Sequence, residues 1–169
     1  MGQNESMILK YGQAYTEGLQ GKPSNLTGVI GSVKHYLGDG ATMFGADEGN
    51  AHVGSFKTFL NRNSQGYIGS ISAEIATVMC SYSAINYLPM AFSPLLKIHL
   101  RDQLKFDGFV IGDYNEIVKI IYQQLPTDLQ TVPGPSESAS TIMNAGTDMM
   151  MIPSKQDVDN YIHGIKQAL

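Results

Sequence analysis

The chain has 169 residues, 43% hydrophobic and 15% charged, with a formal net charge of −4. That is the length of one ordinary globular domain, and mild acidity without a basic cluster argues against nucleic acid as the main partner. No apolar run reaches membrane-spanning length, and the opening Met1-Gly2-Gln3-Asn4-Glu5-Ser6 lacks the basic-then-apolar order of a secretory leader.

Ile8, Tyr11, Tyr15 and Leu19 fall at i, i+3, i+7 and i+11, an apolar stripe that predicts a helix over 4–19. Gly18, Gly21 and Pro23 stop it. Residues 28–36 have strand character through Val29, Ile30 and Val33, and the Gly- and Asp-rich sequence from there to Asn50 predicts a loop. A helix begins over 56–60, and residues 61–72 show no readable period. Thr77 to Tyr82 is an apolar run that predicts a buried strand. Ser93-Pro94 reads as an N-cap with proline at the first helical position, and Leu96, Leu100 and Leu104 carry that helix to residue 105.

Phe109-Val110-Ile111 predicts a parallel strand that ends in Gly112-Asp113-Tyr114-Asn115, with a helix over 115–124 and a Pro/Gly/Thr loop over 126–135. Ser136 starts another helix, with Ala139, Ile142 and Met143 on its inner face and Gly146 as its C-terminal cap. The run Met149-Met150-Met151-Ile152 is closed by Pro153. Ser154 and Asp157 then form a capping pair for a last helix with Val158, Tyr161, Ile162 and Ile165 on its apolar face.

This strand–helix alternation, repeated about four times, implies a parallel sheet with helices packed outside it. A complete eight-stranded βα barrel takes about 200 to 250 residues, so the expectation is a partial (β/α)8 barrel of about four consecutive βα units with parallel strands. Asp113 falls at the C-terminal end of a strand, where such folds place their chemistry. From position alone it serves equally well as a cap for the following helix.

Four stretches resemble the motifs of one family. Lys34-His35-Tyr36-Leu37-Gly38-Asp39-Gly40-Ala41-Thr42 is similar to "KHF-x-GDGGT" of family 3 glycoside hydrolases, the β-glucosidases and β-glucan exohydrolases. Thr77 to Asn86 resembles "VM-x-SYSSWNG", residues 106–114 resemble "F-x-GFV-x-SDW", and residues 145–153 resemble "AG-x-DM-x-MVP". Order and spacing agree over nearly the whole chain. The resemblance implies a single segment over 1–169, the C-terminal portion of the family's N-terminal barrel domain, and a retaining hydrolase of β-D-glucosides. Asp113 is then the nucleophile, with Lys34, His35, Met79 and Tyr82 as sugar-binding residues and Asp39 as a residue that orders the sugar loop. It implies backbone irregularity, including non-proline cis peptides, between Lys34 and Leu37.

No cofactor and no metal are implied. The substrate is a β-glucoside or glucan, and the partner is another protein chain, or a second copy, that completes the barrel. Tyr114 and Ile85 stand where the family has tryptophan, and Pro89-Met90-Ala91 stands where it often has "KMH". The family's upstream sugar-binding Asp and Arg, and its general acid/base, have no counterpart in the matched motifs. Three readings follow: one piece of an active enzyme, a truncated scaffold subunit, or a carbohydrate-binding remnant.

Outside those motifs the residues read more plainly. Lys34 and His35 alone would be a solvated loop pair, and Asp39 and Asp47 ordinary turn residues. His52, His99 and His163 lack ligand spacing and read as surface or helix residues. Cys80, the only cysteine, reads as a packing residue and excludes an internal disulfide. Met149 to Met151 read as core filling. The sequons at Asn4 and Asn25 and the loose myristoylation pattern at Gly2 leave the compartment open.

Overall fold

The structure is a computed structural model that describes residues 4–21, 28–116 and 135–168. In chain order the elements are α1 (Glu5–Gln20), β1 (Ser32–Tyr36), β2 (Asn50–Ala51), α2 (Phe56–Asn63), α3 (Gln65–Ser72), β3 (Thr77–Cys80), β4 (Ala84–Ile85), β5 (Leu88–Pro89), α4 (Leu96–Gln103, wound as a π-helix), β6 (Phe109–Tyr114), α5 (Pro135–Ala145), β7 (Met149–Met151) and α6 (Lys155–Ala168). The expected helix over 115–124 and the 126–135 loop fall largely outside the described residues.

The main sheet has the order β1-β3-β6-β7, and every pairing in it is parallel. A second small sheet of β2, β4 and β5 sits beyond the C-terminal end of β3. Its β4–β5 hairpin turns through Asn86 and Tyr87, at φ 48° and 68°. Two consecutive positive φ values are what a two-residue hairpin requires. Asn86 earns that place by bonding both ways with the Val53 backbone, accepting from its N–H at 2.8 Å and donating to its C=O at 2.9 Å.

Alternation along the strands divides the main sheet into two unlike faces. Val78, Cys80 and Val110 are fully buried on one face, packed with Leu96, Leu100, Phe106, Ala139 and Ile142. Phe109 and Met149, on the other face, are each 44% exposed. Helices therefore cover one side of the sheet, and the side that lines a barrel interior stays open. Arg101 of α4 pins the N-terminal ends of β6 and β7. Its guanidinium stacks 5.0 Å from the Phe106 ring centroid and donates to the Phe106 and Gly108 carbonyls and the Asp148 carboxylate. That carboxylate also accepts from the Val110 N–H at 2.7 Å.

Helix α1 forms where expected, with Asn4 accepting from the Met7 N–H at 3.0 Å as its cap. Its buried face is not the expected one. Tyr11 and Tyr15 are 54% and 77% exposed, while Thr16 and Gln20 are buried. The reason is a close crossing with α3, the segment that showed no readable period. A Cβ on Gly12 would lie 2.3 Å from the Gly66 carbonyl oxygen, and one on Gly69 would lie 2.0 Å from that of Leu9. Backbone meets backbone here, so the contact face is set by missing side chains rather than by bulky ones.

Gln20 then ties α1 to two strands. Its Oε1 accepts from the N–H of Gly31 at 2.9 Å and of Ala76 at 3.1 Å, and its Nε2 donates to Glu74 at 3.0 Å. At the other end of the chain the Ser154–Asp157 cap is present, and Ile162 differs from expectation in being 44% exposed. Among the described residues no helix is long and apolar enough to cross a membrane.

The crossing makes a paired prediction. Gly69→Ala forces the two helices apart and lowers stability in urea unfolding by about 1–3 kcal/mol. Gly66→Ala meets only a flexible Ile8 methyl at 3.5 Å. It is neutral, or stabilising by up to about 1 kcal/mol through helix propensity. Equal effects at the two positions would show that the close approach is wrong.

Candidate active site

The site is built where β1, β3 and β6 end. Two register shifts shape it. Between β1 and β3 the pairing passes from Val33↔Val78 to Tyr36↔Cys80, three steps on one strand against two on the other. Between β6 and β7 it passes from Ile111↔Met149 to Tyr114↔Met151, again three against two. An extra residue in one strand breaks the alternation and re-aims the side chains around it. His35 lies within the first shift and Asp113 within the second. The peptide bonds Lys34–His35 and Tyr36–Leu37 are both cis, in the stretch where irregular backbone is expected.

His35 stands between two carboxylates. Its Nδ1 is 3.1 Å from Asp39 Oδ2, and its Nε2 is 3.3 Å from Asp113 Oδ2. Asp39 is in turn held through its other oxygen by two hydroxyls just past β3, donated by Ser81 and by Ser83, the latter at 3.0 Å. Asp113 is the less exposed carboxylate, with 14% of its side chain accessible against 42% for Asp39. Its Oδ1 accepts from the Tyr114 N–H at 2.6 Å. The imidazole therefore links the ends of β1 and β6, and the loop after β1 fixes which ring nitrogen faces Asp113.

The backbone under His35 is anchored by two tyrosines, Tyr36 fully buried and Tyr67 half-buried. Tyr67 of α3 donates its hydroxyl to the His35 carbonyl and meets the Tyr36 ring edge-on at 5.0 Å. The Tyr36 hydroxyl and His99 Nδ1 are 2.6 Å apart, and the Tyr36 carbonyl accepts from the Ser81 N–H at 2.6 Å. Burial pushes both tyrosines' pKa values well up and that of His99 down, so this layer stays uncharged at neutral pH. His99 lies on a helix, as expected, but at 6% exposure it is a core residue rather than a surface one.

A cavity of about 190 Å³ opens above this group. His35, Asp39, Asp113 and Tyr82 line it, together with Asp47, Glu48, Ser81 and Ser83. Burial raises the pKa of Tyr82, with the neighbouring Asp113 and Glu48 carboxylates adding to it, so its phenol stays protonated. Lys34 is exposed on β1 and is not part of that lining, and Met79 is half-buried within β3. Of the expected site residues, His35, Asp39, Tyr82 and Asp113 come together in this cavity, and Lys34 and Met79 do not. Asp47, Glu48, Ser81 and Ser83 are lining residues that sequence reasoning did not single out as site residues. Ser81 and Ser83 sit inside the second quoted motif, which was the available signal.

A larger hollow of about 810 Å³, lined by Lys97, Arg101, Asp107 and Asp148 among others, lies at the opposite, N-terminal ends of β6 and β7. In parallel βα folds that end carries stability rather than chemistry. Among the described residues no group of three His, Cys, Asp or Glu side chains is placed to hold a metal ion.

What this arrangement can do is present one partly shielded carboxylate to a small polar cavity, with an imidazole fixed against it and a phenol beside it. The negative lining, Asp39, Asp47, Glu48 and Asp113, suits a reacting group that gains positive charge.

Comparison with known proteins identifies the family. The family model "Glycosyl hydrolase family 3 N terminal domain" matches residues 1–169. The chain is 28% identical over 152 residues to a periplasmic beta-glucosidase of Salmonella typhimurium, covering 89% of this chain and 19% of that protein. It is 26% identical over 163 residues to a beta-xylosidase of Formosa agariphila, covering 91% of this chain and 21% of that protein. The solved beta-glucosidase from Listeria innocua in complex with gluconolactone superposes with a TM-score of 0.81 at 26% identity, over 99% of this chain and 22% of that one. The chain thus spans about a fifth of the length of these relatives. Its four parallel strands are a partial (β/α)8 barrel, and the chain belongs to glycosyl hydrolase family 3, within the N-terminal domain of that family.

Proposed function

We propose that this segment forms the C-terminal portion of the catalytic barrel of a retaining β-D-glucoside hydrolase, with Asp113 as the nucleophile. One observation carries the reading: the Asp113 carboxylate stands at the C-terminal end of β6, 3.3 Å from His35 and open to a cavity lined by sugar-compatible polar groups. The Asp113 carboxylate attacks the anomeric carbon, the bond to the leaving-group oxygen breaks, and a glycosyl-enzyme ester forms. A second carboxyl group protonates the leaving oxygen, then removes a proton from the water that cleaves the ester, and must lie roughly 5 to 5.5 Å from the first. We assign it to protein beyond this segment.

His35, Asp39 and Tyr82 supply hydrogen bonds to substrate hydroxyls or hold the groups that do. Lys34 joins them once the barrel is closed on the β1 side. The open face, where Phe109 and Met149 are exposed, supports completion of the barrel by further protein. The relatives include both beta-glucosidases and beta-xylosidases. Glucoside is favoured over xyloside here by the resemblance of the four motifs alone.

In the completed protein, Asp113→Asn lowers turnover of an aryl β-glucoside by about 10⁴-fold or more. A 2-fluoro-glucoside labels the wild-type protein on the peptide that carries Asp113. Activity that survives the substitution removes Asp113 from its role, and binding without turnover in the wild type leaves a carbohydrate-binding remnant. Asp39→Asn loosens His35 and lowers kcat/KM by about 10- to 100-fold. An unchanged kcat/KM would show that His35 needs no such support. The isolated segment binds a hydrophobic dye and sediments as more than a monomer, and a clean monomer without dye binding would overturn the open-face account.

A further inference from the structure

Glu116 takes part in no step proposed above, yet it is the most deeply enclosed carboxyl group near the site. It is fully buried three residues past Asp113. Its Oε2 accepts from the Asp113 N–H at 3.2 Å, and among the described residues its Oε1 has no hydrogen-bond partner. Among the described residues, the titratable groups around it are the Cys80 thiol from β3, the Tyr82 phenol beyond β3 and the Asp113 carboxylate of β6. No lysine or arginine stands among them. An ionised Glu116 would therefore be a buried charge with the Asp113 amide and the weak Cys80 thiol as its donors and another carboxylate for a neighbour, an arrangement that burial penalises heavily. Desolvation raises its pKa to about 8.

A second observation concerns the space it occupies. A Cβ on Gly112 would fall 2.7 Å from Glu116 Oε2 and 2.9 Å from the Met150 sulfur. Glycine inside a strand weakens it and marks a place that something approaches closely. Here the approaching group is the Glu116 carboxyl.

We propose that Glu116 is a positioning residue: it keeps its proton at neutral pH, takes the Asp113 amide hydrogen on Oε2, and so fixes the end of β6 while leaving the negative charge on Asp113. This rests on the proposed role of Asp113. The claim about Glu116 itself can be tested without turnover.

The experiment compares the full chain, with whatever completes its barrel, as wild type, Glu116→Gln and Glu116→Leu. Gln keeps the shape and an acceptor oxygen but cannot ionise, and Leu keeps bulk alone. A carboxyl group with a folded pKa above its unfolded one holds a proton that the unfolded chain has released. Wild-type thermal stability should thus fall as pH rises from 4.5 to about 8 and level off above it. In Glu116→Gln that fall should be missing. The Asp113 amide proton, read by NMR, should keep its shift in the Gln variant and move in the Leu variant. Labelling by the 2-fluoro-glucoside, lost by about tenfold or more in Leu, should be restored in Gln.

A Gln variant that keeps the wild-type pH slope overturns the retained proton. An Asp113 amide shift equal in Gln and Leu overturns the positioning role. If even the wild type fails to label, the hydrolase reading falls, and the thermal profiles and the amide shift still decide the role of Glu116.

Discussion

The imidazole of His35, held between Asp39 and Asp113, is the contact on which the rest of the site depends. It joins the ends of two strands that are not neighbours, since β3 lies between β1 and β6. The sheet order brings the three ends side by side, and the two register shifts turn His35 and Asp113 toward each other. Ser81 and Ser83, just past the intervening strand, hold Asp39 in place. Each of the three strands thus supplies one part of a single polar chain. The uncharged layer of Tyr36, Tyr67 and His99 beneath it keeps that chain from sinking into the core. A carboxylate that is mostly shielded must have its hydrogen bonds fixed in advance, and the Tyr114 amide and His35 provide them.

How much of this was legible in the sequence differs from one residue to another. The strand ending at Asp113 was readable because a β-branched and aromatic run stops at glycine, a local signal. The pairing of Asp113 with His35 was not local: 78 residues separate them, and only the resemblance of ordered motifs put them in one site. Helix α1 was placed correctly by its spacing but given the wrong inner face. Tyr11 and Tyr15 are the bulky residues there, and bulk is what periodicity counts, whereas Gly12, Gly66 and Gly69 decide the contact by being small. For the same reason α3 had no readable period. Asp47 and Glu48 read as loop residues because turn chemistry and cavity lining use the same side chains. Lys34 lies exposed on the edge strand β1, outside the cavity lining.

The two faces of the sheet tell of unequal completion. On the helix side the core around Val78, Val110, Leu100 and Ile142 is closed, so this segment carries its own packing energy. On the inner side Phe109 and Met149 meet solvent, and β1 and β7 are the edge strands of the sheet among the described residues. Such a segment is a finished wall rather than a finished vessel. The groups that orient Asp113, His35 and the Tyr114 amide, lie within this wall.

The lone thiol offers a view of how the wall moves. Cys80 is fully buried at the end of β3, and burial beside the Glu116 carboxyl pushes its pKa well above the ordinary thiol value. Only the thiolate is reactive, so a sulfhydryl reagent finds nothing to attack while the strand is seated. Each alkylation event then records one breach of the central strand. The native chain carries its own single-site clock for opening, placed beneath the carboxylate on which the proposed chemistry turns.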